Sequence, residues 1–238
     1  MRKTSPAVVT DLAPSGVLRA SINLGNPVLA QGTPTDPAGV TVDVAREVAA
    51  RLDVQVEFVC FTAARHSFDA IMTGKADICF LAIEPAREAQ VAFTAPYVLI
   101  EGVFAVPGQS RLATVRDVDS EGVRIGVKRG SAYDLFLSRT LHHGTVVRGA
   151  EGTEEFLTRN LEAAAGIREP MSEFVATHSG LRIIDEPFME IRQAVGTANS
   201  KRPETTGFLH ELVEELKATG FVADSLRRSG QSAVVPPA

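Results

Sequence analysis

The stretch Asp77-Ile78-Cys79-Phe80-Leu81-Ala82-Ile83-Glu84-Pro85-Ala86-Arg87 reads as a buried strand that empties through a short loop into a helical turn. The apolar run from Ile78 to Ile83 is unbroken, as for a strand covered on both faces of a parallel sheet. Glu84-Pro85 stops it. Arg87 then stands just beyond the carboxyl end of a strand, where an open α/β sheet places its ligands. A guanidinium there offers a planar fork of donors matched to a carboxylate. The competing reading is a surface arginine paired with Glu84 or Glu88.

Before this stretch the pattern is strand, helix, strand, helix. Gly16–Leu24 is a strand closed by the turn Gly25-Asn26-Pro27. A loop over 30–38 leads to a helix from Val42 to Leu52, in which Val44, Val48 and Leu52 recur on one face and Asp43 stands near the start as a cap. Val54–Phe61 is a second strand, and His66–Thr73 a short helix stopped by Gly74. With Asp77–Ile83 as the third strand, the spacing is that of a parallel α/β domain.

After Val91 the pattern changes. Pro96 makes Phe93–Tyr97 a loop or an edge, and Tyr97–Val106 is a long extended run. A second, smaller alternation follows: a helical turn over 114–119, a strand over 123–127, a helix start at Gly130-Ser131 with its helix over 133–141, and a short strand at Val146-Val147. Next come a helix over 153–159, a weak strand over 163–167, a helix over 169–177 and a strand over 181–184. Ile191–Gly196 is extended again. Phe208–Thr219 is an amphipathic helix, 221–228 a last short one, and 231–238 a frayed tail.

With 238 residues and 45% hydrophobic content, the chain holds one large domain or two modest ones. The net charge of −5 and scattered basic residues exclude a nucleic-acid binder. No run reaches the length of a membrane span. Cys60 and Cys79 both fall in apolar strand-like runs and read as small hydrophobes rather than a disulfide or metal pair. No metal-ligand spacing and no nucleophilic triad is present, so neither metal nor cofactor is expected. The first residues carry no apolar segment of secretory length, which points to the cytoplasm, or to the periplasm if a leader has been removed.

Taken together, several motifs resemble those of the amino-acid ABC transporter solute-binding proteins, family 3, on the type 2 periplasmic-binding-protein fold. They are Gly16-Val-Leu-Arg-Ala-Ser-Ile-Asn23, Gly39-Val-Thr-Val-Asp43, Gly74-Lys-Ala-Asp77, Glu84-Pro-Ala-Arg87, Phe93-Thr-Ala-Pro-Tyr97 and Val127-Lys-Arg-Gly-Ser131. The resemblance covers about Gly16 to Gly230. It implies an α/β fold of two lobes joined by two hinge crossings, with a ligand cleft between them. Lobe 1 would comprise 1–104 and 197–238, and lobe 2 would comprise 105–196 with the hinge strands. It also implies a non-enzymatic protein that closes on a small carboxylate-bearing solute, an amino acid or organic acid, and hands it to an ABC permease or acts as a sensor.

The same resemblance makes Arg87 the carboxylate ligand, supported by the backbone of Ala82, Ile83 and Glu84 and by N–H groups at Gly130, Ser131 and Ala132. Asn26, Arg168, Glu169 and Gln193 complete the expected ligand set. The chain departs from the family at three places. Where binders of amino acids often place an aromatic lid after the first strand, it has Asn23, Gly25, Asn26, Pro27 and Val28. Where amino-acid binders carry an aspartate for the ligand ammonium, it has Ile167 or Arg168. Where they carry a threonine three residues before the arginine, it has Glu84. Arg168 favours a second anionic group on the ligand, as in a dicarboxylate or keto acid, whereas Glu169 pointing inward restores an ammonium site. An alternative is an enzyme like the cyclohexadienyl and arogenate dehydratases of the same fold, with Glu169 as the cleft acid.

Overall fold

A computed structural model describes residues 4–238. In chain order the elements are α1 (Pro6–Leu12), β1 (Val17–Asn23), β2 (Gln31–Thr33), β3 (Asp36–Ala38), α2 (Val40–Leu52), β4 (Gln55–Phe61), α3 (Ala64–Met72), β5 (Ile78–Ala82), α4 (Pro85–Glu88) and β6 (Val91–Pro107). There follow α5 (Val115–Val118), β7 (Arg124–Lys128), α6 (Ala132–Thr140), β8 (Thr145–Gly149), α7 (Gly152–Thr158), β9 (Ala163–Ile167), α8 (Arg168–Thr177), β10 (Leu181–Ala198), α9 (Pro203–Ala218) and α10 (Phe221–Arg228). The mixed α/β class expected from the alternation is what the chain forms. Two compact units result. Unit 1 holds the described residues up to Leu99 together with Arg192–Ala238, and unit 2 holds Ile100–Ile191.

In unit 1 the strands run in the order β4, β1, β5, β10. β1 lies parallel to both β4 and β5, while β10 lies antiparallel to β5 with Gln193 opposite Ala82. Every residue of β5 is buried, as its continuous apolar run requires. α2 turns Val40, Val44, Val48 and Leu52 inward and leaves Arg46 outside. A forked ion pair fixes the entry to β5: Asp77 accepts from the Arg19 backbone N–H at 2.8 Å, from Nε at 3.0 Å and from Nη2 at 2.6 Å. β1 and β5 are thereby held in register at their amino ends, which sets where their carboxyl ends emerge.

Unit 2 repeats this plan. β7 lies parallel to β8 and β9, and β6 lies antiparallel to β9 with Gly102 opposite Ile167. Its core gathers Phe104, Val106, Ile125, Val127, Leu137 and Ile184, with Phe188 stacked on Phe104 at 4.3 Å between ring centres. α7 packs against β7 so closely that a Cβ on Gly126 would stand 2.2 Å from the Gly152 carbonyl oxygen. Backbone meets backbone there, and only glycine fits.

Several elements differ from the sequence reading. The segment after Thr4 forms the helix α1, with Ser5 as its cap and Pro6 opening the first turn. Residues 31–38 make the hairpin β2–β3 rather than a loop. Phe93–Tyr97 belongs to the 17-residue β6, with Pro96 inside it. The two short runs around Leu181 and Ile191 are one 18-residue strand, β10. Asp43 does not cap α2, whose start is Gly39. Instead its carboxylate binds Ser225 at 2.6 Å and Arg228 at 2.8 Å, tying α2 to α10. The tail is docked: Val234 and Leu99 exchange both backbone hydrogen bonds, and Lys217 Nζ donates to the Pro237 carbonyl at 3.1 Å.

Candidate functional site

The carboxyl edge of the unit 1 sheet gathers four buried polar side chains. β5 ends at Ala82, and Glu84 starts the single turn of α4 with Pro85 at its first position. The Arg87 N–H closes that turn on the Glu84 carbonyl at 2.8 Å. The turn throws the Arg87 side chain back over the strand end, where Nη1 donates to the Ala82 carbonyl at 3.0 Å. Arg87 is only 3% exposed and Glu84 likewise 3%, so the reading of Arg87 as a surface arginine is corrected. Burial holds the Arg87 guanidinium down to about 10 against the opposing pull of Cys79 and Glu84. It remains a cation at neutral pH.

Asn26 reaches the same edge from the next strand. It follows β1, which pairs with β5 through Ala20 opposite Ile78 and Ser21 opposite Cys79. Backbone bonds pin its turn: Asn26 N–H donates to Asn23 at 3.2 Å, and Leu29 and Ala30 donate to the Asn26 carbonyl at 3.1 and 3.0 Å. Its side chain is 6% exposed, and Oδ1 has no hydrogen-bond partner. On the other side, Gln193 of β10 stands opposite Ala82 and is also 6% exposed. Ile83 has less to offer, because its N–H is already given to the Arg192 carbonyl at 2.9 Å.

Unit 2 holds the rest of the expected set. Gly130 turns the chain with φ of 71°, and Ser131 caps α6. The Gly130, Ser131 and Asp134 N–H groups are engaged internally. Gly130 donates to Asp134 Oδ2 at 2.8 Å, Ser131 to the Lys128 carbonyl at 3.1 Å, and Asp134 to Ser131 Oγ at 3.0 Å. Asp134 is a buried carboxylate that the sequence reading passed over. The Ser131-x-x-Asp134 spacing was the available signal, since an acid three residues after a serine cap reaches back to the helix entry. Arg148 Nε donates to Asp134 Oδ1 at 2.8 Å, and Ser138 Oγ donates to the same oxygen at 3.1 Å.

Arg168 is held within unit 2 by an ion pair to Glu101 and by Nη2 donating to the Asp185 carbonyl at 2.6 Å. Glu169, its neighbour in the first turn of α8, has a buried Oε2 without a hydrogen-bond partner. Among the described residues no cluster of three or more His, Cys, Asp or Glu could hold a metal ion, and no helix is long and apolar enough to cross a membrane.

Comparison with known proteins follows the fold. The family described as bacterial extracellular solute-binding proteins, family 3, matches residues 23–229. No curated protein matches the chain. Among solved structures, a P235GK mutant of the arginine-binding protein ArgBP from T. maritima is 22% identical with a TM-score of 0.75, covering 94% of this chain and 99% of that one. A binding component of an ABC transporter from Wolinella succinogenes, complexed with lysine, is 18% identical with a TM-score of 0.74, covering 90% and 95%. The ancestral amino acid-binding protein AncCDT-1, a precursor of cyclohexadienyl dehydratase, is 17% identical with a TM-score of 0.75, covering 93% and 98%.

Proposed function

The chain belongs to the bacterial extracellular solute-binding proteins, family 3, and from that membership we propose that it captures a small carboxylate-bearing solute, an amino acid or organic acid, at the carboxyl edge of the unit 1 sheet. Arg87 binds the carboxylate. The observation that carries this reading is a buried guanidinium at a strand end, whose Nη1 donates to the last residue of β5, on a sheet edge that also holds the buried, unpartnered Asn26 Oδ1. A buried acceptor left without a donor is costly, and a donor group on the ligand supplies what Asn26 Oδ1 lacks.

Glu84, Asn26 and Gln193 are the further side-chain contacts in this proposal, with Ala82 and Ile83 lining the strand end. Ser131, Ala132 and Glu169 are the candidates on unit 2. Gly130 and Arg168 serve there as support, since both are bonded to acids of their own unit. The solute is handed to an ABC permease outside the cytoplasm, which agrees with the transporter origin of the Wolinella succinogenes relative and with the extracellular character of the family. No turnover is assigned.

The test is a thermal-shift and calorimetric screen against amino acids, mono- and dicarboxylates and prephenate. A ligand that binds the folded chain raises its melting temperature. Arg87→Lys, which keeps the charge but loses the fork, is expected to weaken binding at least tenfold. Unchanged affinity in Arg87→Lys and Arg87→Ala would sink the proposal. Consumption of prephenate would replace it with the dehydratase reading, for which the unpartnered Glu169 Oε2 is the specific pointer.

A further inference from the structure

A recess lies wholly within unit 2, beside Val123 and Glu162, the residues that lead into β7 and β9. It is therefore at the amino ends of these strands, whereas Gly130 and Arg168 follow their carboxyl ends. Each strand has five residues, so about 17 Å of strand separates the two ends. The recess holds about 660 Å³ and its lining is mostly apolar, the size and character of a small-molecule pocket of roughly 300–1,000 Å³. Both cores of unit 2 open into it: Val123 belongs to the cluster of Phe104 and Ile125, and Phe156 and Leu161 to that of Val103 and Met171. Leu157, also in the lining, is 42% exposed, one of two large apolar side chains that stand exposed among the described residues.

Hydrogen bonds fix the walls. Arg182 Nη2 donates to the Ser110 carbonyl at 3.1 Å and to the Leu112 carbonyl at 2.7 Å, and the Gly108 N–H donates to the Gly180 carbonyl at 2.6 Å. After α7, Asn160 takes φ of 48° and the Leu161 N–H returns to the Phe156 carbonyl at 3.0 Å. The charges of the lining are unequal in their commitments. Its two charged side chains are Glu162 and Arg111. Glu162 is fully engaged by Arg124: Oε2 accepts from the backbone N–H and from Nε at 2.9 Å, and Oε1 accepts from Nη2 at 2.9 Å. Asp77 and Arg19 make the same fork in unit 1, so this pair belongs to the fold. Arg111 is exposed and has no hydrogen-bond or ion-pair partner among the described residues. Next to it, Ser110 Oγ accepts the Leu112 N–H at 3.2 Å and keeps its own proton to donate.

We propose that this recess is a second ligand site, for an apolar monocarboxylate of the medium-chain alkanoic or arylalkanoic kind. The apolar body lies against Val123, Phe156 and Leu161, Leu157 covers it, and Arg111 with Ser110 takes the carboxylate. The apolar walls account for the body, since an open hydrophobic hollow gains by being filled. The one uncommitted charge accounts for the head, since a guanidinium pairs with a carboxylate through two parallel bonds. A cationic amphiphile has the wrong sign for this mouth. The inference is independent of Arg87 and of the solute held at the carboxyl edge of the unit 1 sheet.

The experiment is calorimetric titration of the whole chain with octanoate and with 4-phenylbutyrate, below the concentration at which octanoate forms micelles. Octylammonium serves as the counterpart of opposite charge. Saturable binding of both acids is expected, with octylammonium at least tenfold weaker. Arg111→Gln is expected to weaken octanoate at least fivefold without weakening octylammonium, and Leu157→Gln to weaken both at least threefold. Both side chains are exposed, so both variants are expected to keep the melting temperature of the unsubstituted chain. Arg87→Lys is expected to bind octanoate unchanged. Octanoate binding lost in Arg87→Lys but kept in Arg111→Gln would place the acid at the carboxyl edge of unit 1 and overturn the inference. Octylammonium binding as tightly as octanoate would overturn it too, as would failure of both acids to bind. In that last case a dimer seen by sedimentation and abolished by Leu157→Gln would assign the recess to contact between copies of the chain.

Discussion

The Asp134 carboxylate accepts the Gly130 N–H at 2.8 Å, so the entry to α6 is closed by an acid four residues along the chain. Asp134 is buried and also takes Arg148 Nε at 2.8 Å. Asp134→Ala leaves the Gly130 N–H and a half-buried guanidinium without their acceptor. The expected loss is about 2 kcal/mol of stability by urea denaturation, the range for stranding buried partners. Asp134→Asn, which keeps one acceptor oxygen, is expected to recover a large part of it. Equal losses in the two variants would assign the effect to packing alone.

Asp119 gives the chain an acid-labile joint in unit 2. Burial pushes its carboxyl up, but the backbone N–H groups of Gly144, His143 and His142, at 2.7 to 3.0 Å, overcome this and hold it near about 2. The folded value lies below the unfolded one of about 3.9. The stabilisation is therefore complete above about pH 4 and is lost as pH falls toward 2. Asp119→Ala is expected to lower stability at pH 6 by about 1–2 kcal/mol, with screening allowed for, and to converge on the unsubstituted chain near pH 2. A difference that stays constant between pH 6 and 2 would contradict the assignment.

The docked tail predicts a truncation effect. Removing residues 233–238 deletes the two Leu99–Val234 hydrogen bonds and the Lys217 contact with Pro237. A melting temperature lowered by several degrees is expected, corresponding to about 1–2 kcal/mol for a few net hydrogen bonds. A tail that frays, as composition alone suggests, would leave the melting temperature where it was.

The two thiols should separate by reactivity. Cys79 is fully buried within β5, and burial raises its thiol to about 12; Cys60 is half-buried and raised less. Only the thiolate reacts. In native protein at pH 8, a thiol reagent is expected to modify Cys60 slowly and leave Cys79 untouched, with both modified on unfolding. Mass spectrometry after digestion reads the outcome.

Much of this architecture was legible because it is written in local periodicity. The unbroken run of β5, the i, i+4 face of α2 and the glycine stops all place elements within a few residues of their observed ends. The failures share a different cause. Pro96 and Pro187 sit inside long strands because neighbouring strands and side chains outweigh local preference. The tail is ordered by Leu99, far away in sequence, and the partner of Arg168 is Glu101, 67 residues earlier. Pairings across such distances leave no local trace. The site divided along the same line. Arg87 stood out from its strand-end position, while the state of Arg168 depended on a partner that only folding supplies.

The interrupted layout of unit 1 bears on how the chain emerges from the ribosome. Unit 2 is continuous, Ile100–Ile191, whereas unit 1 needs Arg192–Ala238 from the very end. Until β10 is made, β5 has β1 on one side and an open ladder of backbone groups on the other. Its sequence is apolar and uncharged, the kind of unpaired edge that recruits other chains. Synthesis at roughly 5–20 residues per second leaves that edge waiting for about 5–20 seconds. Over that interval the edge of β5 stands open, although the finished fold covers it completely.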